Sequence, residues 1–268
     1  MPSDSSVSLR NVADLQGLLD THPGQRFKRL IQAQQSQDRQ AYFWAMHEDR
    51  WRLIRESPVR WDKPLPPGYG LGHDERVIEI PLALEVARLD RPGLALDAGA
   101  ALNHPNIDAL ALGWQARLVH YTQVANREWH LKGDRRAYMF GDLRALEFRD
   151  DAFDRIVCIS TLEHIGLDNS RYGGARETDP SSADAAWREM LRVLKPGGTL
   201  FLSVPYAVRP SNHGWFRNFG AEDVWALVSG LNSRTRLFHY DQGWHDGPPT
   251  TLDPDEPING LAVIRVGG

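Results

Sequence analysis

DDAFDRIVCISTLEHIG, residues 150–166, and EMLRVLKPGGTLFLSVPY, residues 189–206, are the stretches on which the fold turns. Each holds a short apolar run, Ile156–Ile159 in the first and Leu200–Val204 in the second. Both runs are continuous rather than alternating, as in strands covered by helices on both faces. Between them, Ser182 to Leu194 reads as a helix. Trp187, Met190, Leu191 and Leu194 recur at i, i+3, i+4 and i+7 and form one apolar stripe. Pro196 prevents continuation and Gly197-Gly198 ends the element. Strand, helix and strand in that order is the unit of a parallel sheet.

The same alternation extends outward. Further strands are expected at Leu94–Leu96, Ala116–Tyr121, Ala137–Phe140, Leu237–Tyr240 and Leu261–Val266. Helices are expected from about Glu75 to Leu89 and from Ala221, with Val224, Leu227 and Val228 facing inward. The second and third strands are about 15 residues apart, which leaves room for only a short helix or none. Upstream, residues 9–20 and 26–56 have helical apolar spacing, broken at Pro23-Gly24. Pro58 and PLPPGYGLG at 64–72 read as a linker. The expectation is therefore an α/β fold: a Rossmann-like, doubly wound sheet of seven strands over residues 73–268. An N-terminal helical arm and linker over 1–72 precede it.

Composition narrows the class. The chain has 268 residues, 41% of them hydrophobic, enough for one sizeable core. No stretch reaches the roughly 18 apolar residues of a membrane span. Residues 1–10 are polar and lack a secretory h-region. The single cysteine, Cys158, forms neither an internal disulfide nor a cysteine zinc site. A cytoplasmic setting follows as the expectation. Residues 26–63 carry nine Lys/Arg against five Asp/Glu, with Phe27, Tyr42, Phe43, Trp44, Trp51 and Trp61 among them. That interleaving resembles a nucleic-acid surface. An overall charge of −4 favours the other reading, helices whose aromatics pack inward while the arginines stay solvated.

In an open parallel sheet, ligands lie beyond the carboxyl ends of the strands, beside the point where strand order reverses. The first strand ends in Asp97-Ala98-Gly99-Ala100-Ala101-Leu102-Asn103, a small-residue turn where Gly99 is free to take positive φ. The third ends in Gly141-Asp142-Leu143, offering a carboxylate to an exocyclic amine with Leu143 over the base. The fourth runs into Ser160-Thr161-Leu162-Glu163-His164-Ile165-Gly166.

With LALDAGA at 94–100, GDLRALEF at 141–148 and the two opening stretches in order, the region from about Leu94 to Pro205 resembles class I S-adenosylmethionine (SAM) methyltransferases. DERVIEIP, EHIGLDNSRYG and HGWFRNFGAEDVWALVSGL are similar to a bacterial subgroup associated with surface-polysaccharide assembly. The resemblance covers residues 73–230. It implies SAM as cofactor and methyl transfer to a small or carbohydrate-like acceptor, at oxygen. Asp97 and Gly99 would line the aminocarboxypropyl group, Gly141, Asp142 and Leu143 the adenine, and Ser160 and Thr161 the sulfonium. Ala101 and Asn103 stand where the family usually has glycines. The second strand ends in His120, Tyr121, Thr122 and Gln123, without the acid that usually holds the ribose, leaving Gln123 or Asn103 for that contact.

Glu163 and His164 would face the acceptor. His164 suits a general base, its ordinary pKa lying near ~6.5; the plainer reading is a histidine bonded to a neighbouring loop. Some relatives hold a divalent ion with two glutamates and a histidine here. Ser160 replaces one of those glutamates and Asp168 is the only substitute, so no metal is assigned. Asp168, Arg171 and Tyr172, in the long loop from Gly166 to Ser181, and Arg217 across the cleft are candidate acceptor contacts. Arg76 and Glu79 precede the first strand, where the resemblance implies an N-terminal helix lidding the SAM pocket; the plainer reading is a surface i,i+3 ion pair. Cys158 reads as inert core. The expected partner is a small-molecule or glycan acceptor, and a homodimer is left open. A catalytically silent scaffold subunit is the alternative. A nicotinamide oxidoreductase is excluded because no G-x-G-x-x-G follows a strand.

Overall fold

The computed structural model describes residues 47–110, 113–123, 135–249 and 260–267. The helix expected at 9–20 and most of that at 26–56 lie outside these residues, as does the connection between the second and third strands. Helix α1 occupies 47–55. Then follow α2 (Arg76–Ala87), β1 (Leu94–Ala98), α3 (Pro105–Leu110), β2 (Arg117–Thr122), β3 (Arg136–Phe140) and β4 (Phe153–Ile159). Next come α4 (Ala183–Val193), β5 (Leu194–Tyr206), β6 (Ser211–Asn212), β7 (Arg217–Asn218), α5 (Ala221–Val228), β8 (Ser233–Tyr240), β9 (Trp244–Asp246) and β10 (Gly260–Val266).

One sheet runs β3-β2-β1-β4-β5-β10-β8-β9. β1 to β5 are parallel, and β10 enters antiparallel between β5 and β8. This is the expected doubly wound α/β arrangement, with all seven expected strands present. Its eighth strand, β9, folds back on β8 through the turn at Asp241–Gly243. A separate two-stranded ribbon, β6-β7, was also not anticipated. Both additions are two or three residues long, too short to show a period of two.

Side chains alternate between two cores. On β5, Leu200, Leu202 and Val204 join α4 and α5, while Phe201 faces the layer holding α1, α2 and α3. Cys158 is fully buried, and burial pushes its thiol far above the ordinary range. No helix among the described residues is long and apolar enough to cross a membrane.

The described part of the arm shares the first of these cores. Trp51 and Trp61 are buried with α2, whereas Arg52 is half exposed and pairs with Asp49 and Glu56. Residues 64–72, expected as a linker, are instead knitted in. Tyr69 bridges to Trp244, and the Gly72 N–H donates to the Tyr240 hydroxyl at 2.7 Å.

The reason lies in α2. Pro81 sits inside that helix and removes the N–H that would bond the Val77 carbonyl. The Tyr69 hydroxyl supplies the missing donor at 2.9 Å and accepts in turn from Ser57 Oγ at 2.9 Å. Tyr69→Phe leaves a buried carbonyl and a buried hydroxyl unmatched. It is expected to lower the urea midpoint by the equivalent of about 1–3 kcal/mol.

Candidate functional site

The sheet order reverses between β1 and β4, so the turns after these strands meet. Gly99 has φ +97°, and a Cβ there would lie 2.1 Å from Thr161 Oγ1. Only glycine serves both demands. Gly141, after β3, is similarly crowded: a Cβ would lie 2.0 Å from the Tyr121 hydroxyl.

Asp97 ends β1 fully buried. Its Oδ2 accepts from the Leu102 N–H at 2.9 Å, closing the turn, and from His120 Nδ1 at 2.7 Å. Asp97 and His120 are register partners on β1 and β2. His120 therefore occupies the strand that lacks an acid, stacked on Tyr138 at 5.0 Å between ring centroids. Asp97 Oδ1 and His120 Nε2 are both buried without a partner. The Tyr138 hydroxyl donates to Asn103 Oδ1 at 3.0 Å, so that carboxamide oxygen is already engaged.

Asp142 is engaged as well. Arg144 clasps its carboxylate through Nε and Nη2 and extends Nη1 to Glu177 at 2.5 Å. The guanidinium holds the Asp142 carboxyl below its ordinary range. Leu143 beside it is buried.

Ser160 follows β4 with φ +39°, a left-handed conformation for a non-glycine residue. Its hydroxyl donates to Glu79 Oε1 at 2.5 Å, and Ser203 Oγ on β5 donates to the same atom at 2.7 Å. Arg76 Nη1 donates to Glu79 Oε2 at 2.7 Å. The expected surface pair of Arg76 and Glu79 is thus corrected. Glu79 is fully buried and ties α2 to the ends of β4 and β5, 81 and 124 residues away. A signal was present in the sequence. A lone acid within VIEIPLA and a lone serine within LFLSVPY each need a buried partner.

On the acceptor side, His164 Nδ1 donates to the Trp215 carbonyl at 2.7 Å, which leaves the Nε2 lone pair available. Burial first, then Arg76 and Arg171, lowers the His164 pKa below 6.5 despite the carbonyl contact. Trp215 stacks on His164 at 5.4 Å, the Arg171 guanidinium lies 3.9 Å from the Trp215 ring centroid, and Tyr172 meets His164 edge-on at 5.5 Å. Asp168 is nearby in the same loop. It caps Ser170 with Oδ1, and its N–H donates to the Gly214 carbonyl. Arg217 is on β7, which packs against the Leu162–His164 turn, and its guanidinium lies over Phe219 at 4.2 Å.

Glu163 is buried, with Oε2 unpartnered. Its carboxyl is raised well above the ordinary value, chiefly by burial. Burial favours the neutral form of both Glu163 and His164, which weakens any ion pairing across their 3.8 Å separation. Linkage gives the sign of the effect on stability. Above about pH 4.5 the unfolded chain releases this proton while the folded chain keeps it. Stability therefore falls as pH rises, by at most about 1.4 kcal/mol per unit, until the folded group also ionises. In Glu163→Gln this contribution is gone. The Tm of the variant relative to wild type is expected to climb between about pH 5 and 8 in thermal melts. Among the described residues, no group of three or more His, Cys, Asp or Glu is placed to hold a metal ion.

Residues 96–202, spanning β1 to β5, match a family described as a methyltransferase domain. No curated protein matches the chain. Among solved structures, it is similar to 1,6-didemethyltoxoflavin-N1-methyltransferase of Burkholderia thailandensis at 16% identity. There 92% of this chain and 91% of that one are covered, with a TM-score of 0.47. It is also similar to a SAM-dependent methyltransferase of Methanosarcina mazei at 14% identity, over 66% of this chain and 92% of that one, with a TM-score of 0.43. The cyclase SpnF aligns at 15% identity, over 84% of this chain and 93% of that one, with a TM-score of 0.49. Likeness at this level says nothing about reaction or ligand. The family match agrees with the expected fold and with SAM as the expected cofactor.

Proposed function

We propose that the chain is a SAM-dependent methyltransferase acting at oxygen on a small, hydroxyl-bearing acceptor, of which a carbohydrate is one class. The single observation that carries this reading is the pair of unpartnered buried atoms, Asp97 Oδ1 and His120 Nε2, at the ends of β1 and β2. Such atoms are costly unless something completes them. A ligand bearing an ammonium and hydroxyl groups has the donors to do so, and SAM has both. The residues present therefore fit the cofactor. Asp97 would take the ammonium, Leu143 would cover the adenine, and Asp142 retains acceptor capacity beside Arg144 for the exocyclic amine.

When bound, SAM supplies an electrophilic methyl group. The chain's own residues do the rest. The turns after β1 and β4 fix the two reactants relative to each other, the usual source of rate in an in-line displacement. His164, kept neutral by burial and oriented by the Trp215 carbonyl, takes the acceptor's proton at Nε2. Arg171 and Tyr172, both exposed beside it, grip the acceptor. A cytoplasmic enzyme, as monomer or homodimer, is part of the same reading.

Calorimetric titration with S-adenosylhomocysteine tests it. Saturable binding is expected, and no binding up to millimolar concentration would overturn the proposal. A non-catalytic scaffold is favoured by one observation, that Asn103 and Asp142 already have partners within the protein. It requires the opposite outcome, so the same titration separates the two.

A further inference from the structure

The loop from Gly166 to Ser181 carries two arginines and three acids. Each acid is already engaged. Asp168 caps Ser170 and lies 3.6 Å from Arg176. Glu177 receives Arg144 at 2.5 and 2.9 Å, and Asp179 accepts from the Ser181 N–H at 3.1 Å. Arg171 is left with no hydrogen bond or ion pair among the described residues; its guanidinium rests 3.9 Å from the Trp215 ring centroid. A ring contact holds the group in place and uses none of its N–H donors.

Trp215 also gives its carbonyl to His164 Nδ1 at 2.7 Å, so one residue steadies both the imidazole and the guanidinium. Arg171 acts electrostatically on His164 and on Tyr172. Strand β7, which packs against the Leu162–His164 turn, brings a second guanidinium, Arg217, whose Nε is buried without a partner. The remaining cations nearby have acids. Arg76 is bonded to Glu79, with Glu75 and Asp74 acting on it as well, and Arg144 is forked between Asp142 and Glu177. Glu163, the one acid in the turn itself, is favoured in its neutral form by burial. The acceptor side therefore holds positive charge that no carboxylate of the described chain answers, and such a surface draws in anions.

We propose that the acceptor is an anion, a small molecule with a carboxylate, phosphate or sulfate group beside the hydroxyl to be methylated, and that Arg171, braced on Trp215, holds that oxyanion. The inference rests on the methyltransferase reading and names the substrate class within it. A guanidinium takes such a group through two parallel bonds. Holding the anion there brings the neighbouring hydroxyl to His164 Nε2. Its negative charge offsets the field of Arg171 on the imidazole while that ring takes up the proton. The same contact discriminates against neutral sugars and polyols, which offer no charge to Arg171.

The test reads His164 itself by NMR, its signal assigned from His164→Asn, in protein saturated with S-adenosylhomocysteine. Sulfate and formate are the probes, one tetrahedral and one planar, each titrated against chloride at constant ionic strength. At least one is expected to raise the pH at which His164 titrates by about 0.5 or more, saturably, and the stronger of the two identifies the kind of oxyanion. In Arg171→Gln the half-saturating concentration is expected to rise about tenfold or more, with Arg171→Lys between. Arg176→Gln, which removes the charge that faces Asp168 in the same loop, is expected to stay within about twofold. Affinity for S-adenosylhomocysteine, measured by calorimetry, should be unchanged in all three variants. No response of His164 to either anion, or equal losses in Arg171→Gln and Arg176→Gln, overturns the inference and leaves the cofactor reading intact. A wild-type protein that does not bind S-adenosylhomocysteine overturns the methyltransferase reading, and the acceptor assignment with it.

Discussion

Asp97→Asn is expected to fold and to lose most of its affinity for S-adenosylhomocysteine. The carboxylate has two oxygens with different duties. Oδ2 closes the turn at Leu102 and holds His120, while Oδ1 is buried with no partner. An asparagine keeps its oxygen where two donors need it and must then put its NH2 at the other position. That group is a donor facing the place proposed for an ammonium. Replacing attraction by a donor–donor clash, with the loss of a charge-assisted bond of about 1.5–3 kcal/mol, predicts a drop of at least about tenfold. Asp97→Ala is a different experiment. It strands the Leu102 N–H and His120 Nδ1 in a dry interior, at about 1–3 kcal/mol each. Chemical denaturation should show a loss of roughly 2–6 kcal/mol, a large part of the stability of a typical domain. Calorimetry on the asparagine variant and denaturation of both separate binding from folding. Unchanged affinity in Asp97→Asn removes Asp97 as the ammonium contact.

The second large effect concerns His164. Its Nδ1 is fixed by the Trp215 carbonyl, so Nε2 is the basic atom, and its lowered pKa keeps it unprotonated at neutral pH. In His164→Asn the proton acceptor disappears while a group able to bond Trp215 remains. Once an acceptor is in hand, turnover at saturation should drop about 10²- to 10⁴-fold, with cofactor binding unchanged. The wild-type rate should lose activity on acidification through a transition below pH 6.5, and that limb should vanish in the variant. Full turnover in His164→Asn would leave the residue as a loop anchor and nothing more.

The pattern of these residues explains what the sequence could and could not convey. Strands β1, β4 and β5 are legible because both faces of the sheet are covered there, so each carries an apolar run ending at a polar turn, whereas β3, at the sheet edge, is only partly buried. Helix α4 was legible from one apolar stripe. Contacts set by tertiary approach were not. Glu79 looked like half of a local ion pair because Arg76 stands three residues away. The serines that bury it lie far along the chain, and no spacing rule connects them. His120 was visible only as a missing acid, since its partnership with Asp97 depends on the register of β1 against β2. Among the acceptor candidates, proximity in sequence located Asp168, Arg171 and Tyr172 near His164. Arg217, chosen from across the cleft, sits on β7 against the turn that carries His164, with its guanidinium over Phe219.

The placement of β10 bears on how such a chain is made. Residues 260–266 hydrogen-bond to β5 on one side and β8 on the other, so the hairpin of β8 and β9 has no seat until they arrive. During synthesis, a ribosome-bound intermediate would expose the flank of β5 and an unattached hairpin together. Unpaired strand flanks of this kind invite association with neighbouring nascent chains. The β8–β9 hairpin is thus held to the rest of the sheet only through a strand that follows it in the chain.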